Sequence, residues 1–110
     1  AADPDHSLAL KVADEVTRIE QNLARMDAGV KGHKQLLAAV KRMKENLQAG
    51  GYEMLELLGK EFNEGMKVSP SFVPDPSIPH GSRQITRVMK PTVLFQGTAI
   101  QIGEVQVSQG

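Results

Sequence analysis

Cysteine is absent, which excludes disulfides, thiolate metal sites and thiol nucleophiles. Tryptophan is absent too, and aromatics make up 4% of the 110 residues. The core must therefore be aliphatic, built from Leu, Val, Ile and Met. Neither sign of charge is in excess: 13 Lys and Arg balance 13 Asp and Glu. That neutrality argues against a globally basic nucleic-acid binder and against an acidic solvating tail. No apolar run approaches the ~18 residues of a membrane span, and no charged-then-apolar leader indicates secretion. The chain opens on Ala1 rather than Met, which reads as a trimmed start. The expectation is a cytoplasmic scaffold, with no membrane partner, rather than an enzyme with a deep pocket.

Proline is missing from residues 7–47, where alanine, lysine, glutamine and leucine dominate; that is helix chemistry. From residue 60 onward come Pro70, Pro74, Pro76, Pro79 and Pro91 with β-branched runs between them, which is strand-and-turn chemistry. Ala49-Gly50-Gly51 marks the boundary as a helix stop. Asp5 and Ser7 can each accept hydrogen bonds from the first free N–H groups of a helix, and Pro4 suits its start.

Within the helical half, Val12, Val16, Ile19, Leu23, Met26, Val30, His33, Leu37, Val40, Lys44 and Leu47 follow a strict 4-3-4-3 spacing. Such spacing lines up one seam at ~3.5 residues per turn. As a single rod this stretch would reach ~60 Å, whereas the rest makes a body with a radius of gyration of only ~10 Å. A second helix must cover the seam, from the same chain or another copy. Gly29 and Gly32 cost ~1 kcal/mol each inside a helix, so they mark a turn or kink between helices over about 7–28 and 33–49. The preferred expectation is a helical hairpin that meets a second copy as a four-helix bundle. A continuous parallel coiled coil kinked at Gly29 is the alternative. Both predict a homodimer, with Val12, Val16, Ile19, Leu23, Met26, Val30, Leu37, Val40 and Leu47 as its contact residues. His33 and Lys44 interrupt the seam, either to set register or because they lie at its wet ends.

The second half reads as strands over 52–58, 83–90, 92–95 and 98–107, with a brief one at Phe72-Val73. Gln96-Gly97 has the chemistry of a two-residue hairpin turn. The apolar phase runs Ile100, Ile102, then Val105, Val107, and slips at Gly103-Glu104 as a β-bulge would make it do. A compact sandwich or half-barrel is expected. The fold class is thus α+β: a helical dimerisation region over 1–51, then a small all-β domain over 52–110.

Chemistry is sparse. His80 lies near Asp75 and Ser82 in a proline-rich loop, but closeness in sequence says nothing of geometry, and an exposed loop histidine is the simpler reading. His-x-x-x-His and Asp-x-Asp loop patterns are missing apart from Asp3-Pro4-Asp5. Gly29 and Gly32 lack the Gly-Lys-Ser/Thr of a nucleotide loop. No metal, no cofactor and no catalytic residue is therefore expected. Lys34, Lys41, Arg42 and Lys44 bias the second helix positive, as a docking face for an acidic partner or as a solvated face. Nothing aromatic interleaves with them, so no nucleic-acid partner is expected. Of the methionines, Met66 is the best placed for a surface contact.

Several residues together resemble the GrpE family. Val30-Lys31-Gly32, followed by Leu37, Val40 and Met43, resembles its V-x-G and following helix. Gly51-Tyr52-Glu53-Met54 looks like its G-V-E-x-I lead into the β domain. The run from Leu58 through Gly59-Lys60-Glu61-Phe62 to Asn63 resembles its G-x-P-F-D segment, and His80-Gly81 falls where it has a P-G turn. Gln96-Gly97, and on through Val105-Gln106-Val107-Ser108, resembles its N-G-R-x-I-R-x-A-x-V-x-V ending. The likeness spans about 12–108. It implies a homodimeric nucleotide exchange factor whose β domain docks on the ATPase domain of a DnaK-type chaperone and releases ADP, with no covalent chemistry. It also implies chaperone contacts at Gly32, Gly97 and Val107; Thr98, beside the hairpin glycine, and Met66, bordering the loop, complete the expected contact set. Thr98 and Gln101 stand where the family has arginines, and Asn63-Glu64 replaces D-P. A one-residue insertion is needed between Lys90 and Gln96, and the family's long stalk is absent or cut away. The departures point to a divergent or truncated member. The alternative is a structural dimerisation adaptor that keeps the fold without exchange activity.

Overall fold

Eight elements follow one another in the computed structural model, which describes residues 5–110. They are α1 (Ser7–Arg25), α2 (His33–Ala49), β1 (Tyr52–Met54), β2 (Val68–Pro74), β3 (Arg83–Lys90), β4 (Val93–Phe95), β5 (Thr98–Gln101) and β6 (Gly103–Gln109). Pro4 and Asp3 lie outside the described residues. Asp5 holds the start of α1, its Oδ1 accepting from the Ser7 N–H at 2.9 Å and the Ser7 hydroxyl at 2.5 Å. Those two bonds, the hydroxyl's first, hold the Asp5 carboxyl below its ordinary value. Ser7 therefore donates to Asp5 rather than capping the helix itself.

The glycine pair is a hairpin loop. Val30 N–H bonds back to the Asp27 carbonyl, His33 N–H to that of Val30, and Gly32 starts α2 at φ 89°. His33 is buried, and its Nε2–H donates to the Leu23 carbonyl at 2.7 Å. The same carbonyl accepts from the Met26 N–H at 3.2 Å, so His33 adds a second bond to the last turn of α1.

The dimeric four-helix bundle expected from the seam is not what forms. The helices have 19 and 17 residues, about 25–29 Å each. They pair within one chain and pack on two three-stranded sheets, with neither a long helical rod nor a bundle. The reason lies in how the seam divides. Val16, Leu23 and Val40 form a small core with Met43 and Met54, so α2 and β1 cover one column of the seam. Val12, Ile19, Met26, Val30 and Leu37, at 37–44% exposure, remain on the outside. The β region did not need to cover a ~60 Å ridge, because α2 itself, with Met54 of β1, covers the two turns from Val16 to Leu23.

One sheet has the order β1-β4-β5, all antiparallel. The other has the order β2-β6-β3, with β2 parallel and β3 antiparallel to β6. Gln96 (φ 49°) and Gly97 (φ 86°) join β4 to β5, the two positive φ values of a type I′ turn. The strand expected over 52–58 ends at Met54, because Leu57 turns into the main core with Phe62, Ile85, Val88, Val105 and Val107. The brief strand expected at Phe72-Val73 runs instead from Val68 to Pro74. Its prolines are tolerated because β2 is an edge, paired on one side.

Two joints fix the architecture. The strand expected over 98–107 is broken at Ile102, where the chain leaves one sheet for the other. A Cβ on Gly103 would lie 2.6 Å from Thr92 Oγ1 and 2.9 Å from the Lys90 carbonyl. Gly103 N–H donates to Thr92 Oγ1 at 3.0 Å, and that hydroxyl donates to the Lys67 carbonyl. The second joint is Gln21 of α1. Its carbonyl accepts from the Val88 N–H at 2.8 Å while its amide donates to the Val88 carbonyl, so a side chain caps the outer edge of β3. Residues 59–62 cap the rest: Gly59 N–H bonds to the Ile85 carbonyl, Ile85 N–H to Lys60, and Phe62 N–H to Arg83.

The result is a slab of 51 × 39 × 16 Å with a radius of gyration of 15.3 Å, against about 13 Å for a compact chain of this length. Gly103→Ala should cost at least ~2 kcal/mol, since no neighbour at that joint is a flexible side-chain end. Gln21→Ala should cost about 1–3 kcal/mol by orphaning both backbone groups of the buried Val88. Urea unfolding of both variants checks these values, with an exposed substitution such as Gln35→Ala as the neutral reference.

Candidate functional site

The residues expected to meet a chaperone do not gather on one face. Gly97 and Thr98 sit together on the exposed β4–β5 turn. Gly32 is in the helical hairpin loop at the start of α2. Met66 and Val107 are brought together, but as core: Val107 is 0% exposed at the centre of its sheet, and Met66 packs against the same cluster. The Val107 side chain therefore has no surface to present. Alternation carried the signal, because Val105 and Val107 share the phase of a core-facing strand. Gln101 is also drawn inward, donating to Asp14 Oδ1 at 3.0 Å and the Pro91 carbonyl at 2.9 Å. It ties α1 to the sheet and is not free for a partner, whereas Thr98 is.

Of the expected dimer contacts, Val16, Leu23 and Val40 are buried within the chain, and Leu47 is half-buried. The remaining five, joined by Leu8 at 75% and Leu36 at 50% exposure, make an apolar band on the hairpin. Single exposed apolar residues are ordinary on a protein surface, whereas these recur along both helices of one hairpin.

A groove of about 450 Å³ opens between α2 and β1, floored by Leu37, Val40 and Met54 and rimmed by charge. Its organising residue is Lys44, whose Nζ donates to Glu20 Oε2 at 2.9 Å and also to Glu56. The Lys44 side chain is only 19% exposed. Thus the polar break in the seam is an internal bridge from α2 to α1 and to the segment after β1. Desolvation is the largest influence on Lys44 and pulls its pKa down. The hydrogen bonds to Glu56 and Glu20, with their charges, outweigh it, and the net shift is upward from 10.5.

The histidines are held apart. His6 Nδ1 lies 2.7 Å from the Tyr52 hydroxyl, and the His6 ring packs on Tyr52 and Phe95 at 5.4 and 4.5 Å between centroids. His33 is engaged by Leu23, and His80 is exposed in its loop. Asp75 accepts from the Ser77 hydroxyl and N–H rather than orienting His80. No cluster of three or more metal-ligating side chains is found among the described residues. No helix among them is long and apolar enough to cross a membrane. In comparisons with known proteins, no family model and no curated sequence matches the chain.

Lys44 supplies a test. A lysine whose folded pKa is raised contributes stability that is fully present below its unfolded value and lost as pH climbs through the folded one. Lys44→Met should therefore lower stability by about 1 kcal/mol at neutral pH. The gap to wild type should stay level up to the ordinary 10.5 and close above it. Urea unfolding of both proteins from neutral to strongly alkaline pH measures that gap; one unchanged at the alkaline end would show that the bridge does not stabilise the fold.

Proposed function

We propose that this chain is a divergent GrpE-like cochaperone that promotes ADP release from the ATPase domain of a DnaK-type chaperone in the cytoplasm. The observation that supports the reading best is where the resemblance glycines fall. Gly32 (φ 89°) starts α2, Gly51 (φ 94°) turns the chain into β1, and Gly97 (φ 86°) closes the β4–β5 turn. Each takes a positive φ at a turn between consecutive elements: α1 to α2 at Gly32, α2 to β1 at Gly51, and β4 to β5 at Gly97. A resemblance that tracks the joints of a fold carries more weight than one scattered over its surface.

In this reading the chain does no covalent work. It binds the open arrangement of the chaperone lobes more tightly than the closed one, and that difference in affinity shifts the population toward nucleotide release. The exposed turn at Gly97-Thr98 is the part of the β region offered to the chaperone, while Val107 serves the core of the other sheet. A second copy meets the apolar band of the hairpin, so the protein self-associates in solution. The same band favours the adaptor alternative, in which self-association is the whole function.

Release of a fluorescent ADP analogue from the cognate chaperone should accelerate on adding this protein. No acceleration at saturating concentration, together with self-association by sedimentation, would leave the adaptor. Thr98→Arg restores one family arginine on an exposed residue. It should strengthen the effect about tenfold or more if that contact is made, since a charge-assisted hydrogen bond is worth ~1.5–3 kcal/mol.

A further inference from the structure

A second groove, of about 350 Å³, lies between α1 and β3, away from the surfaces above. Arg18, Gln21, Asn22, Arg25, Arg87, Val88 and Met89 line it. Three of these are arginines, none is acidic, and none is aromatic. We propose that this groove binds a chain of two or more phosphates, read through its oxyanions alone and independently of the chaperone reading.

Its construction follows from the Gln21 joint. Arg18, Gln21 and Arg25 are spaced i, i+3, i+7, one stripe of a helix. Gln21 is bonded to Val88 through both its oxygen and its nitrogen, which presses that stripe against β3 beside Arg87. The backbone capping thus sets where the three arginines stand, and among the described residues only Arg18 of the three has a carboxylate partner. Arg25 donates to the neutral Asn22 Oδ1 at 2.6 Å. Arg87 makes no salt bridge among the described residues, and Arg18 pairs only with Glu15, where both side chains are more than half exposed. An exposed pair of that kind contributes little and exchanges readily.

The donor set selects the ligand. The Gln21 amide is fully engaged, and Asn22 has its oxygen occupied by Arg25, so the groove offers N–H donors to something that accepts only. Guanidinium forks match phosphate oxygens in pairs. Arg18 and Arg25 are about 10 Å apart along the helix, longer than one phosphate and suited to a short chain of them. A peptide fits worse. Its own N–H groups would need acceptors, and the β3 edge that could have supplied them is closed by Gln21 and residues 59–62. A nucleobase has no ring here to stack on. Where the groove continues past Arg25 and Arg87 it meets Asp75, Thr86, Gln106 and Ser108. Asp75 there repels phosphate and limits the site to the arginine end.

Tripolyphosphate titrated into the ¹⁵N-labelled protein at low salt tests this. The Arg18, Arg25 and Arg87 side-chain N–H signals should shift together and saturate. Orthophosphate should bind about tenfold or more weakly, and Arg87→Gln and Arg25→Gln should each weaken tripolyphosphate about tenfold. Added salt should loosen the complex. ATP binding like tripolyphosphate identifies a nucleotide tail as an acceptable source; ATP binding much more tightly would contradict recognition through phosphates alone. The proposal is overturned if no shift occurs at millimolar tripolyphosphate. It is overturned equally if the shifts fall on Lys34, Lys41 and Arg42 of α2 and ignore the two variants, or if orthophosphate or hexaglutamate binds as well as tripolyphosphate. Both substitutions are on exposed side chains, and the backbone spectra report whether each variant stays folded.

Discussion

An edge strand has to find partners for the backbone groups on its open side, and this molecule is organised by how β3 finds them. Residues 59–62 close one stretch of that edge, and the Gln21 carboxamide closes the next as though it were a one-residue strand. Closing it with a helical side chain does three things at once. It denies the edge to other chains, it attaches the helical hairpin to the β region, and it fixes which way α1 is rotated. A glutamine suits the task because its amide offers one donor and one acceptor in a plane, as a peptide group does.

The second constraint is the crossing from one sheet to the other. Thr92 is fully buried, and its hydroxyl stands between Gly103 and the Lys67 carbonyl. A side chain on residue 103 would occupy the space where these groups meet. Gln101, one residue before the crossing, reaches Asp14 of α1. Helices, first sheet and second sheet are therefore linked through residues 92–103, and the thin slab needs no thick central core to stay together.

Much of this was legible in residues 7–51. The glycines at 29 and 32 told of a break, Gly50-Gly51 of an end, and the seam of an amphipathic pair. What the period could not tell was who covers it. A 4-3-4-3 spacing is the same whether the facing helix belongs to the chain or to a copy, so Val16, Leu23 and Val40 were readable as contact residues but not as an internal core. In the β half, the strand over 83–90 and the Gln96-Gly97 turn were plain from β-branched runs and turn chemistry. The end of β1 at Met54 was not, because an apolar run leading into a core loop has the composition of a strand. Val107 was misplaced by following the resemblance over the alternation, which had already turned it inward. The role of Gln21 left no trace, since nothing local distinguishes an edge-capping glutamine from a solvated one.

With α1 held in that rotation, its surface divides into three wedges at 100° per residue. Ala13, Val16, Thr17 and Leu23 make the buried one. Val12, Ile19 and Met26 make an apolar one on one side of it. Arg18, Gln21 and Arg25 make a basic one on the other, about 130° from the apolar wedge by the same arithmetic. Surfaces that far apart on one helix can be occupied together without steric conflict. They are not independent, because Gln21 belongs both to the basic wedge and to the joint that holds the buried one in place. Gln21 holds α1 against β3 beside the arginine groove, so the shape of that groove depends on the joint. The α1 part of the apolar band, Leu8, Val12 and Ile19, is carried on another side of the same helix and keeps its internal spacing. Anything that reads the band by its shape alone is insulated from the groove, and anything that needs α1 fixed against the sheets is not.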